Sequence, residues 1–160
     1  MHIVLVEPQI AGNTGNAIRL CANVGATLHL VEPLGFVIDD AGLRRAGLDY
    51  HDLVDVHVHP NFAVCLAALA QARVGRWFAF TTAGTVRYDS VDWRVDDALV
   101  FGAEPTGLPA AVVAAAAVDR RVHLPMRPHN RSLNLANAVA IVAYEAWRQQ
   151  GFPGASHPDR

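Results

Sequence analysis

Leu99-Val-Phe-Gly-Ala-Glu-Pro-Thr-Gly-Leu-Pro109 is an apolar run that stops abruptly in a loop holding Gly102, Glu104, Gly107, Pro105 and Pro109. A short run that is apolar throughout reads as a strand covered on both faces, which is how parallel strands are built. Glycine permits close backbone approach, proline fixes φ, and loops on a rigid scaffold are where ligand contacts concentrate. The loop therefore reads as one that touches something. It has two companions: Asn13-Thr-Gly-Asn-Ala-Ile-Arg19, just after the first strand candidate, and Leu124-Pro-Met-Arg-Pro-His-Asn-Arg-Ser-Leu-Asn-Leu-Ala-Asn137, entering the last helix.

Working outward, the sequence predicts strands at His2–Val6, Thr27–Val31, Val54–Val58, Arg76–Thr81, Ala98–Gly102 and Arg121–Leu124, with helices at Gly15–Val24, Asp39–Ala46, Phe62–Gln71, Pro109–Ala117 and Leu133–Gln150. Strands alternating with helices imply an α/β fold with a mostly parallel, Rossmann-like sheet. The 160 residues, 52% of them hydrophobic, suffice for one buried core and not for two. We therefore expect a single domain over 1–150 and a loose tail over 151–160, rich in Gly, Pro and Ser. No apolar run approaches a membrane span and the start carries no signal-like segment, so the expected location is the cytoplasm, with no membrane partner.

All thirteen basic side chains are arginine, which excludes a Gly-Lys-Ser/Thr phosphate loop and every Schiff-base chemistry. A net charge of −2 rules out a broad basic coat, so any RNA contact must come from local clusters such as Arg44-Arg45, Arg127 and Arg131. Leu43 to His51 adds Tyr50 and His51 to the first of these, either as a surface helix end or as an RNA-contacting patch. Cys21 and Cys65 form no CxxC pair and read as buried apolar residues. His57 and His59 would share one face of a strand, but no third ligand has convincing spacing, and no metal site is assigned.

Each motif also has a plain structural reading. Asn13 can be the cap of the first helix, and Gly12 and Gly15 lack the Gly-x-Gly-x-x-Gly spacing of a dinucleotide turn. Ser132 sits where an N-cap of the last helix belongs. Asn134 and Asn137 are poor helix formers whose amides would do better bonding outside the helix. Glu104 alone is a solvated loop carboxylate. The last helix leaves hardly any polar face among Leu135, Val139, Ile141, Val142, Tyr144, Ala146 and Trp147, which suggests a homodimer surface carried by Val139 and Tyr144, or complete burial in one domain.

In this order and at these intervals, the three motifs closely resemble those of the SPOUT superfamily of RNA methyltransferases, over nearly the whole chain. Asn13-x-Gly-Asn-x-x-Arg19 is similar to the first, Phe101-Gly-x-Glu-x-x-Gly-Leu-Pro109 to the second, and Leu124-Pro-Met through Arg131-Ser-Leu-Asn-Leu-Ala-Asn-Ala-Val139 to the third. The short length, the Leu43 to His51 segment and Tyr144-Glu-Ala-Trp-Arg148 are most similar to the minimal bacterial tRNA wobble-position 2'-O-methyltransferases, which act on the ribose of nucleotide 34, cytidine or a modified uridine, in leucine tRNAs. The resemblance implies a C-terminal deep trefoil knot binding S-adenosylmethionine, a homodimer, and tRNA as partner. It places the cofactor among Phe80, Thr81, Thr82, Gly102, Glu104, Gly107, Leu124, Met126, Ser132, Leu133 and Asn134. It makes Arg19 essential, with Asn13, Glu104, Ser132 and Asn134 orienting the reacting groups, Arg19 serving the other subunit's pocket, and the proton acceptor left open. Arg19, Arg44, Arg45, Tyr50, His51, Arg127 and Arg131 are the expected RNA contacts. Methylation of another tRNA or rRNA nucleotide, and a non-catalytic RNA-binding module of the same fold, stand as alternatives.

Overall fold

The computed structural model describes residues 1–37 and 54–156. In chain order these form β1 (His2–Val6), α1 (Ala11–Val24), β2 (Thr27–Val31), β3 (Val56–His59), α2 (Phe62–Gln71), β4 (Arg76–Phe80), β5 (Val86–Arg87), β6 (Asp97–Phe101), α3 (Ala110–Ala115), β7 (Arg121–His123) and α4 (Leu135–Gln149). The strands build one sheet in the order β3-β2-β1-β6-β4-β7-β5, and every neighbouring pair is parallel.

Successive strand residues point to opposite faces, and here both faces are covered. Ile3, Leu5, Leu28, Leu30 and Leu99 meet α1 and α4 on one side. Val4, Val6, Val31 and Val100 meet α2 and α3 on the other. This explains why β6 is buried along its whole length and why the central strands read as unbroken apolar runs. Both cysteines are buried and free, one on each face, as expected.

The α2 face is not apolar throughout. Near its β3 edge it collects four imidazoles, with His29 paired in register to His57 and its ring stacked on both His57 and His59. Burial, followed by the neighbouring rings of His2, His59 and His57, pushes His29 down to about 3. Burial likewise pushes the Cys65 thiol on α2 up to about 12.

The expected strands all form; His2–Val6 and Thr27–Val31 keep their expected bounds, and the others have ends displaced by one or two residues. β3 runs later than expected because His59 pairs with Val31 and its carbonyl accepts from the Glu32 amide at 2.9 Å. The two-residue β5 was not foreseen. The expected helix at Asp39–Ala46 lies outside the described residues.

Two capping expectations are corrected. The first helix starts at Ala11 with Ile10 at its cap and no side-chain cap bond, so Asn13 lies inside the helix, buried. The last helix is capped by Asn134, whose side-chain Oδ1 accepts from the Asn137 amide at 3.2 Å, and not by Ser132.

The first residues after α4 contact it. Phe152 packs edge-on against Trp147, ring centroids 5.1 Å apart, and the Trp147 indole donates to the Pro153 carbonyl at 3.1 Å, tying these two residues to α4. Among the described residues no helix is long and apolar enough to cross a membrane.

Candidate active site

The C-terminal ends of β4, β6 and β7 and the segment leading into α4 enclose a cavity of about 560 Å³. Phe80, Thr81, Thr82, Gly102, Glu104, Gly107, Leu124, Met126, Ser132 and Leu133 all line it. Loops beyond the carboxyl ends of parallel strands are where open α/β sheets bind ligands, and the volume lies within the range of small-molecule sites. Its walls mix apolar Phe80, Leu124 and Leu133 with the polar groups of Thr81, Thr82, Glu104 and Ser132.

The loop after β6 owes its shape to two glycines. Gly107 has φ +71, a left-handed conformation costly to other residues, and its amide closes the loop on the Ala103 carbonyl at 2.8 Å. Gly102 has no such φ; a Cβ there would collide with the backbone of Gly107 and Leu108. The loop is folded so tightly on itself that one position must lack a side chain.

Glu104 reaches from this loop to the start of α1. Its carboxylate accepts from the Gln9 amide at 2.7 Å, the Ile10 amide at 3.3 Å and Asn13 Nδ2 at 2.9 Å. Asn13 Oδ1 in turn accepts from Asn134 Nδ2 at 3.0 Å, while Asn134 Oδ1 caps α4. One chain of bonds thus joins all three sequence motifs. It also explains the uncapped start of α1, whose amide end and dipole are met by a carboxylate supplied from ninety-odd residues away. Burial alone would raise the Glu104 carboxyl, but the bonds from Asn13, Gln9, its own amide and Ile10 outweigh it and hold the group below the usual value.

Asn134 does not line the cavity; it meets Asn13 instead. Arg131, expected at the RNA, lines the cavity, whereas Arg127 is exposed and does not. Arg19 lies on the exposed side of α1 and is not among the residues that line the cavity. Arg44, Arg45, Tyr50 and His51 lie outside the described residues. Val139, expected at a dimer surface, is fully buried in the chain's own core, because its side of α4 packs on the sheet; Tyr144 is 45% exposed and Ile141 40%.

Sequence reasoning missed Gln9 and Ile10, since a backbone amide leaves no mark on residue identity. It also missed Leu135 and Ala138, which line the cavity from the first turn of α4. Their helical spacing of three was the available signal.

Comparison with known proteins agrees with this arrangement. A tRNA (cytidine(34)-2'-O)-methyltransferase of Burkholderia pseudomallei (strain 1106a) is 56% identical over 155 residues, covering 97% of this chain and 99% of that protein. A structure described as giving insight into 2'-OH methylation of C/U34 on tRNA superposes with a TM-score of 0.85 at 43% identity, covering 94% of this chain and 95% of that one. The SpoU methyltransferase AviRb of Streptomyces viridochromogenes, solved with AdoMet, gives a TM-score of 0.80 at 25% identity, over 94% of this chain and 57% of its own. The shared sheet is therefore not a general α/β likeness, and since the model of the SpoU rRNA Methylase family matches residues 1–144, the chain belongs to that family.

Proposed function

We propose that this protein is an S-adenosylmethionine-dependent tRNA methyltransferase that methylates the ribose 2'-oxygen of the wobble nucleotide 34, cytidine or a modified uridine, in leucine tRNAs. The observation that carries the reading is the bond chain Glu104–Asn13–Asn134 at the cavity, which ties the three motifs into one site. The names of the relatives of comparable length support the substrate, and the AdoMet-bound neighbour supports the cofactor.

The cavity fits such a cofactor by size and by its mix of apolar walls and polar groups. Phe80, Leu124 and Leu133 would cover the adenine faces, and backbone groups at Gly102 and Leu124 would read its edge. Bound there, S-adenosylmethionine supplies a methyl group already activated on a sulfonium. What remains for the chain is to place a weak nucleophile in line, and positioning provides most of such a rate gain. Glu104, Asn13, Ser132 and Asn134 are assigned to orientation. A guanidinium stays charged at physiological pH and makes a poor general base; Arg19 is assigned to hold RNA phosphate beside the attacking hydroxyl.

The trefoil knot belongs to the same reading. It is supported by the sheet order, in which β7 lies between the earlier strands β4 and β5. A cytoplasmic homodimer, with Arg19 serving the partner's pocket, completes the proposal. Its support is the exposed apolar side chains of Ile141 and Tyr144 on α4 and the absence of Arg19 from the lining of its own cavity.

A second reading, methylation of a ribosomal nucleotide, rests on the family's description alone. Purified protein with labelled cofactor should methylate tRNA but not tRNA carrying a 2'-deoxyribose at nucleotide 34. Methylation of the deoxy substrate, or of rRNA alone, would overturn the assignment. Arg19→Ala and Arg19→Lys should both abolish transfer while cofactor binding measured calorimetrically persists, since a point charge does not reproduce the guanidinium fork.

A further inference from the structure

On the sheet face opposite α1 and α4, outside the three motifs, β2, β3 and α2 bring His29, His59 and Cys65 together. One ligand atom from each lies within 4.8 Å of the others, and all three residues are buried. His29 Nδ1 and His59 Nε2 face each other at 2.9 Å. His2 Nδ1 stands 3.0 Å behind, against the other ring nitrogen of His29. We propose that His29, His59 and Cys65 form a structural site for a zinc-class divalent cation, unrelated to methyl transfer, that staples the β3 edge of the sheet to α2.

The donor set decides the class of metal. Two imidazoles and a thiolate with no carboxylate suit a borderline-soft cation and exclude magnesium or calcium. A tetrahedral zinc site holds its ligand atoms roughly 3.3–3.8 Å apart, from bond lengths of about 2.0–2.1 Å to nitrogen and 2.3 Å to sulfur. The facing ring nitrogens must therefore open slightly and the longest separation close by about an ångström, moves within reach of side-chain torsions.

A second contact of the expected kind is already in place. A ligating histidine commonly donates its other ring N–H to an orienting acceptor, and His29 Nε2–H donating to His2 Nδ1 leaves His29 Nδ1 turned toward His59. The surroundings argue the same way. The rest of this face is filled by Val4, Val6, Val31 and Leu69, where apolar side chains would serve packing better than polar rings buried at a cost. Exposed His57, stacked on His29 with centroids 5.2 Å apart, marks the solvent side from which a cation enters.

On binding, the Cys65 Sγ–H bond breaks and a metal–sulfur bond forms, the proton leaving to solvent, and a water on the side of exposed His57 completes the tetrahedron. His59 moves its ring proton from Nε2 to Nδ1, and nothing is oxidised or reduced.

The test uses the whole protein, stripped with a chelator and titrated with cobalt(II). The expected result is one equivalent bound per chain, with tetrahedral visible absorption, a near-ultraviolet thiolate-to-cobalt charge-transfer band, and loss of both when zinc is added. Cys65→Ser should remove the charge-transfer band, and Cys21→Ser should leave it. Excess zinc should raise the melting temperature of the wild-type chain by about 5 °C. A wild-type chain that shows no charge-transfer band at stoichiometric cobalt, or a band retained in Cys65→Ser, would overturn the site. The three side chains would then be a hydrogen-bonded imidazole row beside a buried thiol and nothing more. Because wild-type protein alone gives the decisive reading, a variant that fails to fold does not shelter the proposal.

Discussion

Glu104 holds two segments together that no local rule connects, and its charge is what does so. Glu104→Gln keeps the shape but gives up an acceptor for two backbone amides and Asn13. Hydrogen bonds to charged groups are worth about 1.5–3 kcal/mol, so the variant should lose about 2 kcal/mol at neutral pH, read by urea unfolding, and at least tenfold in methyl transfer. The pH dependence has a definite sign. The carboxyl is held lower in the folded chain than in the unfolded one, so its contribution is complete above the unfolded value, about 4.3, and fades as pH falls through the folded value. Wild type and Glu104→Gln should therefore converge in stability on acidification; a gap that stays constant to low pH would show that the charge contributes nothing. The neighbouring glycines separate two causes. Gly102→Val drives a side chain into the Gly107–Leu108 backbone and should unmake the loop, abolishing calorimetric cofactor binding and lowering the melting temperature. Gly107→Ala meets open space and bears only the left-handed φ, a cost of about 1–2 kcal/mol, so it should bind cofactor with reduced affinity.

At the scale of elements, Asn134 shows how a cap can also be a tether. Its side chain accepts from the Asn137 amide and donates to Asn13, joining the start of α4 to α1. Loss of an N-cap costs about 0.5–2 kcal/mol, and Asn134→Ala also leaves buried Asn13 Oδ1 without its donor, so a loss near the upper figure is expected in thermal unfolding, together with reduced methyl transfer. Asn134→Asp keeps the cap and removes the donor. It should recover stability more than activity, and equal recovery of both would reduce Asn134 to a helix cap. Most elements were legible because the central strands are buried on both faces and announce themselves as apolar β-branched runs, as at His2–Val6, which the sequence places without error. What was not legible has identifiable causes. The carboxylate at the start of α1 comes from Glu104 and bonds the Gln9 and Ile10 amides, so no residue near Ala11 signals the helix start. The two residues of β5 are too few for any period to show. The cavity lining was readable through motif resemblance, whereas the role of Gln9 and Ile10 rests on amides that every residue but proline carries. The His29–His59–Cys65 group was hidden because its members come from three elements whose adjacency only the sheet order creates.

For the whole molecule, the side of α4 that faces outward decides what the active unit is. Leu135, Val139 and Val142 are spent on the chain's own core, but Ile141 and Tyr144 remain 40% and 45% exposed, with the Tyr144 ring edge-on to Trp147 at 5.6 Å. An apolar side of this kind suits a two-fold interface in which the same patch meets itself, and burying a lone carboxylate there costs several kcal/mol. Tyr144→Asp should therefore yield monomers by analytical ultracentrifugation. If Arg19 serves the partner's pocket, those monomers should be inactive although each retains a complete cavity. A sharper experiment combines two inactive chains. Arg19→Ala keeps an intact cavity and lacks the arginine; Gly102→Val keeps the arginine and lacks the cavity. Co-expressed with different tags and purified through both, the mixed dimer pairs the good cavity of one chain with the good arginine of the other, giving one working site of two and about half the wild-type rate per dimer if the arginine acts across the two-fold axis. If Arg19 acts within its own chain, neither half of the mixed dimer is complete, and the rate stays at the background of the parent variants.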